Sequence, residues 1–138
     1  MMNKRNIPKP TDAELSILRV LWDKGSSTVR EVCDVLNTTK TTRYTTALKF
    51  LQILFEKGLV TRDESQKTHI YTAAFSQGET QRQLVEDLLQ KAFNGSAEQL
   101  VLQAIGTKRA SEEDMTEIRN LIRKVEKKNG INETPENS

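Results

Sequence analysis

The residues best suited to chemistry lie between Lys40 and Gln52, where hydroxyl, amide and cationic side chains are concentrated. The apolar residues of this segment recur at the spacing of one helix face, at Ala47, Phe50, Leu51 and Leu54. With that face buried, the outward side presents Thr45, Leu48, Lys49 and Gln52. Lysine suits guanine acceptors, glutamine suits adenine, and a leucine methyl suits the thymine methyl. These four residues form a candidate surface for reading base edges, although an ordinary solvated helix face has the same composition.

A second group of residues is suited to binding phosphate. The segment 40–43 precedes or opens the same helix, where unpaired amides and the positive end of the helix dipole favour a phosphate oxygen. Two further cations, Arg62 and Lys67, fall in a later hairpin-like stretch, where a cation for solubility or edge protection is an equal alternative. The candidate contacts to the DNA backbone are Lys40, Thr41, Thr42, Arg43, Tyr44, Arg62 and Lys67.

Two capping boxes position the elements that precede this segment. Thr11 with Glu14 predicts a first helix over about Asp12–Lys24, and Thr28 with Glu31 opens a second one. The helix with the candidate base-reading surface is therefore the third, and the glycine at position 58 ends it.

The residues after the third helix predict a small hairpin. Two runs with β-branched and aromatic residues, 59–62 and 69–72, flank a polar stretch. Three helices followed by a hairpin is the order of a winged helix-turn-helix, whose third helix enters the major groove. The predicted fold is mainly α, with a winged helix-turn-helix DNA-binding domain over residues 8–75. The ends, residues 1–7 and 130–138, are expected to be flexible.

Residues 76–129 predict a helical dimerisation region. Three amphipathic segments follow one another here, the first ending at Asn94-Gly95 and the last at Asn129-Gly130. A single protomer cannot easily bury all their apolar faces. We expect a homodimer, because a DNA-binding protein with one reading helix per chain needs two half-sites. Packing within one chain is the alternative. The expected interface residues are Leu88, Leu89, Phe93, Leu100, Val101, Met115, Ile118, Leu121, Ile122 and Val125.

The composition excludes several classes of protein. The single cysteine and single histidine, Cys33 and His69, cannot build a disulfide or a Cys/His metal site within one chain, so we expect no metal and no cofactor. The carboxylates Glu56, Asp63 and Glu64 have no nucleophile, catalytic histidine or phosphate loop to join them, so we expect no enzyme. No apolar run approaches the roughly 20 residues of a membrane span, and a cytoplasmic protein is expected. The basic surplus lies before residue 76, with 12 Lys and Arg against 8 Asp and Glu.

Several spaced blocks of residues carry a resemblance to a known family. They are Thr11 to Trp22, Tyr44 to Leu51, Leu54 with 56–60, Phe93 to Ser96, 100–102, and 111–114 with Ile118. Together they resemble the penicillinase-repressor (BlaI/MecI/CopY-type) regulators over about Pro8 to Lys128. The resemblance implies a dimeric repressor that binds a palindromic operator. It also implies release when a membrane sensor-protease signals the presence of an antibiotic.

The chain departs from the family's pattern at three places. In the antibiotic-responsive members the cleaved bond lies between Asn and Phe, and the matching positions here are Gln103 and Ala104. The copper-responsive members end in paired Cys-x-Cys motifs, whereas no cysteine follows Cys33. Gln52-Ile53 stands where many relatives carry Asn-Arg.

The alternative function is a winged-helix module for protein interaction or for regulation by a small molecule.

Overall fold

The computed structural model describes residues 7–107 and 111–130. The ends that we expected to be flexible lie outside the described residues, except Ile7, which is buried in the core, and Gly130. The described elements are α1 (Asp12–Lys24), β1 (Ser27–Thr28), α2 (Val29–Leu36), α3 (Tyr44–Lys57), β2 (Val60–Asp63), β3 (Ile70–Ala73), α4 (Gln77–Phe93), α5 (Ala97–Thr107) and α6 (Glu112–Lys128).

Reciprocal caps start the first two helices as predicted. The Thr11 hydroxyl accepts from the Glu14 amide at 3.2 Å, and the Glu14 carboxylate accepts from the Thr11 amide at 3.1 Å. Thr28 and Glu31 repeat the arrangement at the start of α2. Because each pair satisfies two amides that would otherwise lack partners, it sets where the helix begins.

The sheet has three antiparallel strands in the order β1-β3-β2. The predicted hairpin is confirmed, with both strands one residue further along the chain than expected. β1 was not predicted, and it adds a third strand by pairing Ser27 with Tyr71. The order of helices and strands over the first part of the chain confirms the winged helix-turn-helix fold.

The core of the winged-helix unit lies where α1, α2 and α3 meet the sheet. Leu18, Val32, Leu51 and Tyr71 are each at most 1% exposed. The Cys33 thiol is buried in the same cluster and donates to the Thr42 carbonyl at 3.4 Å. The core therefore holds α3 by one face and leaves its opposite face to solvent.

Contacts between Cα atoms divide the chain into two compact units, with the boundary between Leu88 and Leu89, inside α4. In the second unit, Ser111 and Asp114 form the predicted capping box of α6. Neither α5 nor α6 has a buried residue among those that the structure describes. The second unit therefore leaves much apolar surface uncovered.

Candidate nucleic-acid interface

The exposed face of α3 is a row of polar side chains. Ala47, Leu51 and Leu54 are fully buried, while Thr45, Lys49 and Gln52 are exposed. At about 100° per residue, the last three fall within about 60° of one another on the side opposite the buried stripe. Leu48 is half-buried at one edge of this row and packs against the core. The structure thus brings together the three polar residues predicted to read bases, with Leu48 beside them.

Asn37 holds the turn that leads into α3. Its side-chain nitrogen donates to the carbonyls of Cys33 at 2.9 Å and Thr42 at 3.0 Å, and its oxygen accepts from the Thr42 amide at 2.7 Å. The Thr42 hydroxyl donates to the Lys40 carbonyl at 3.0 Å. Thr42 therefore contributes to the shape of the turn, which leaves Lys40, Thr41 and Arg43 exposed.

The first turn of α3 has unpaired amides. Arg43 occupies the N-cap position without a side-chain cap, whereas α1, α2 and α6 each begin with a capping box. The Arg43 carbonyl accepts from the amides of Thr46 and Ala47. Within the described residues, the amides of Tyr44 and Thr45 have no acceptor. An anion near this helix end would gain two donors and the favourable end of the helix dipole.

A groove lies beside the row, on the side of the turn. This turn groove has a volume of about 460 Å³. Its polar lining consists of hydroxyls and two cations, and Phe50 forms part of its apolar floor. The lining residues are Ala13, Ser16, Leu36, Thr39, Lys40, Thr41, Thr42, Arg43, Thr46 and Phe50.

A second groove, of about 330 Å³, lies on the side of the hairpin. This wing groove is lined by Val29, Arg30, Tyr44, Leu48, Lys67, Thr68, His69 and Tyr71. The guanidinium carbon of Arg30 lies 5.3 Å from the centre of the Tyr44 ring. Arg30, Thr68 and His69 were missed as site residues in the sequence analysis, because only the packing of α2 against α3 and the hairpin reveals their proximity to Tyr44.

Arg62, a predicted backbone contact, is held within the hairpin. Its guanidinium pairs with Glu64 at 2.5 Å and lies 3.9 Å from the centre of the Phe55 ring. A hydrogen bond with the Tyr71 side chain, and then the one with Glu64, raise the pKa of Arg62. The side chain is 20% exposed. The charge of Arg62 is therefore paired with Glu64, and its guanidinium is stacked on the Phe55 ring. Lys67, in contrast, is exposed and lines the wing groove.

The tip of the hairpin is closed by a short-range hydrogen bond. The Ser65 amide donates to the Asp63 carboxylate at 2.9 Å, and this bond, followed by one with the Ser65 side chain, lowers the pKa of Asp63. The nearby His69 lowers it further to a smaller extent. The carboxylate of Asp63 is thus engaged at the tip and does not line the wing groove.

Comparison with known proteins assigns the chain to a family. The family model described as penicillinase repressor matches residues 10–124. The chain belongs to the penicillinase repressor family. This is a family of DNA-binding repressors, and DNA-binding repressor is accordingly the broad function of the chain.

Two individual relatives agree with the family assignment. The chain is 26% identical to the penicillinase repressor of Bacillus licheniformis over 118 residues, which are 86% of this chain and 92% of that protein. It is 19% identical to the methicillin resistance regulatory protein MecI of Staphylococcus aureus (strain N315) over 114 residues, 83% of this chain and 93% of that protein. Among solved structures, the chain resembles the solution structure of the DNA-binding domain of the repressor BlaI with 29% sequence identity. The match covers 56% of this chain and 93% of the BlaI domain, with a TM-score of 0.48. The chain also resembles the complex structure of hsRosR-S4 in fold, with 16% identity, coverage of 86% of this chain and 91% of the hsRosR chain, and a TM-score of 0.51.

In this penicillinase-repressor chain, the ten residues predicted to form a dimer interface are all at least partly exposed. Leu88 belongs to the first unit and the other nine to the second. The exposed ones are Leu88, Val101, Leu121, Ile122 and Val125, and the half-buried ones are Leu89, Phe93, Leu100, Met115 and Ile118. An apolar hollow of about 270 Å³ runs along α6 between Ile118 and Glu126.

The remaining sequence expectations concern cleavage, metals and membranes. Gln103 and Ala104, the candidate cleavage pair, are exposed within α5. Over residues 7–107 and 111–130, the structure places no group of three His, Cys, Asp or Glu residues where they could hold a metal ion. In the same ranges, no helix is long and apolar enough to cross a membrane.

Proposed function

We propose that the chain is a dimeric repressor that reads a palindromic operator, with α3 in the major groove of each half-site. The observation that carries this proposal is the row of Thr45, Lys49 and Gln52. It projects from a helix whose opposite face is buried in the core, between two grooves that both contain cations. A helix fits the width of the major groove, where each base pair presents a distinct set of donors and acceptors.

The row has the chemistry to discriminate between base pairs. Lys49 donates to the O6 and N7 acceptors of guanine, and Gln52 both donates to and accepts from adenine. Thr45, near the start of the helix, pairs with either partner of a base pair. Leu48 lies at the edge of the row, where its methyl groups can contact a thymine methyl.

The two grooves follow the phosphates on either side of the major groove. On one side, the turn groove offers Lys40, Thr41 and Arg43, next to the unpaired amides at the start of α3. On the other side, the wing groove offers Tyr44 and Lys67. Contacts of this kind position the protein and contribute affinity without reading sequence. Arg62 is not part of this set, because Glu64 already neutralises it.

The exposed apolar residues of the second unit support self-association. Val101, Leu121, Ile122 and Val125 are each 45% exposed or more. Large exposed apolar side chains, three of them on one face of α6, favour burial against another protein surface. A second copy is the partner that also explains repression, because two reading helices about 34 to 36 Å apart match two half-sites one helical turn apart.

Induction by a membrane sensor-protease, which the family resemblance implies, would depend on cleavage between Gln103 and Ala104. The cleavage pair Gln103 and Ala104 differs from the Asn-Phe of antibiotic-responsive members and lies within α5. Cleavage there would require α5 to unwind locally, since a helical backbone must open to enter a protease site.

Fluorescence anisotropy on the DNA upstream of the protein's own gene, with a shuffled duplex in parallel, tests this function. Lys49→Ala removes a base contact and should weaken operator binding about ten-fold or more, with little effect on the shuffled duplex. The matched control is Lys24→Ala, which removes an exposed cation at the end of α1, outside both grooves. Equal and weak binding of the unmodified protein to both duplexes would contradict operator reading and favour a winged helix that binds a protein partner.

A further inference from the structure

Arg30 is an exposed cation without an ion-pair partner among the described residues. It lies on the outer side of α2. The neighbouring carboxylate of Glu31 is engaged at the start of α2, where it accepts from the Thr28 amide at 2.9 Å. The charge of Arg30 is thus available to an external anion.

Tyr44 gives the Arg30 guanidinium a defined position. The guanidinium carbon lies 5.3 Å from the ring centre, within the distance at which a cation and an aromatic face attract each other. Stacking on an aromatic ring orients the planar guanidinium without occupying its N–H donors. The donors of Arg30 therefore remain available while the side chain loses much of its freedom.

The rest of the wing groove complements an anion. Lys67 adds a second cation, and the side chains of Thr68, His69 and Tyr44 add polar groups that can form hydrogen bonds. No aspartate or glutamate is among the described residues that line the groove. The other cation of the hairpin, Arg62, is paired with Glu64. Arg30 therefore supplies the second positive charge of the groove, beside that of Lys67.

We propose that the wing groove binds a phosphodiester of the DNA backbone, with Arg30 as its principal ligand and Tyr44 as the residue that positions Arg30. The proposal rests on the proposed function, because the phosphate belongs to the duplex that α3 reads. A guanidinium binds two phosphate oxygens at once, which suits a site that fixes the register of the protein on DNA.

The test measures the salt dependence of binding for Arg30→Ala on the operator and on the shuffled duplex. The loss of one phosphate contact should weaken binding to both duplexes by a similar factor, about ten-fold at low salt. It should also reduce the slope of log K against log salt by about 1. The control is Arg19→Ala, which removes an exposed arginine of α1 that lines neither groove.

Substitutions at Tyr44 test the positioning role. Tyr44→Leu removes both the ring and the hydroxyl and should reproduce part of the loss of affinity caused by Arg30→Ala. Tyr44→Phe keeps the stacking surface and loses only the hydroxyl, so it should weaken binding less than Tyr44→Leu does. In an Arg30→Ala background, Tyr44→Leu should have a much smaller effect than in the unmodified protein. Equal effects of Tyr44→Leu in both backgrounds would refute the positioning role.

The outcomes separate this inference from the proposed function. If the unmodified protein prefers the operator and Arg30→Ala behaves like Arg19→Ala, the phosphate site is wrong and the function stands. If the unmodified protein binds both duplexes alike and Arg30→Ala still lowers the salt slope, the phosphate site stands and operator reading is wrong. If the unmodified protein binds neither duplex, both proposals are wrong.

Discussion

The ion pair between Lys57 and Glu14 predicts that Lys57→Met destabilises the winged-helix unit by about 2 kcal/mol. The Lys57 ammonium lies 2.6 Å from the Glu14 carboxylate and also donates to the Lys9 carbonyl at 3.2 Å. Glu14 caps α1, and its side chain is only 4% exposed. The substitution leaves a nearly buried carboxylate with the Thr11 amide as its remaining hydrogen-bond donor in the described residues.

The expected magnitude follows from the burial of the two partners. A hydrogen bond to a charged group contributes about 1.5 to 3 kcal/mol, and loss of one partner from a buried pair costs more than loss of an exposed pair. The Lys57 side chain is 32% exposed, and solvent screening places the estimate near the middle of that range. Lys57 also lies in the last turn of α3, where a cation adds about 0.3 to 1 kcal/mol through the helix dipole.

Urea unfolding followed by tryptophan fluorescence measures this loss. Trp22 is the single tryptophan of the chain, and its indole donates to the Phe75 carbonyl at 2.9 Å, so it reports on the winged-helix unit. For a slope of about 2 kcal/mol per molar urea, the midpoint should fall by about 1 M. The control Lys24→Met also removes a cation from the last turn of a helix, and it should cost about 0.5 kcal/mol.

A second substitution isolates the buried carboxylate as the cause. Glu14→Gln in the Lys57→Met background removes the uncompensated charge and should restore part of the lost stability. A shift of the Lys57→Met midpoint no larger than that of Lys24→Met would refute the reasoning, because the pair would then contribute no more than a surface cation near a helix end.

Two other predictions concern the second unit and the hairpin. Ile118→Asp should yield monomers with weakened operator binding, as measured by sedimentation and anisotropy. Asn120→Asp, on the opposite side of α6, should leave the dimer intact. A dimer that survives Ile118→Asp would contradict the proposed interface. Glu64→Gln should release Arg62 and strengthen binding to operator and shuffled duplexes about three-fold with a steeper salt dependence. A gain in DNA affinity no larger than that of the control Asp23→Asn would show that Arg62 does not contact DNA even without Glu64.

The helices of the winged-helix unit could be predicted from the sequence because their signals are local. The capping pair of Thr28 and Glu31 lies within one turn, and the glycine after Lys57 has the positive φ that ends α3. β1 has no such signal, because two residues are too few to show a period. Its existence depends on pairing with Tyr71, which only the folded chain brings close.

In the candidate site too, the features that follow from local sequence could be predicted, whereas those that depend on contacts between distant parts of the chain could not. The outward row of Lys49 and Gln52 follows from helical periodicity, since the buried stripe determines which side remains exposed. The proximity of Arg30 to Tyr44 depends on how two helices cross, and a single sequence does not contain that angle. Arg62 was predicted as a backbone contact from its charge and its place on the hairpin, and neither of these shows that Glu64 folds back onto it.

The short outer strands of the sheet restrict how copies of the protein can associate. β1 has two residues, and three of the four residues of β2 are the polar Thr61, Arg62 and Asp63. Short and charged outer strands are poor templates for adding a strand from another molecule. Domain swapping or fibre growth through the sheet is therefore disfavoured, and reversible contacts between copies are left to helical surfaces.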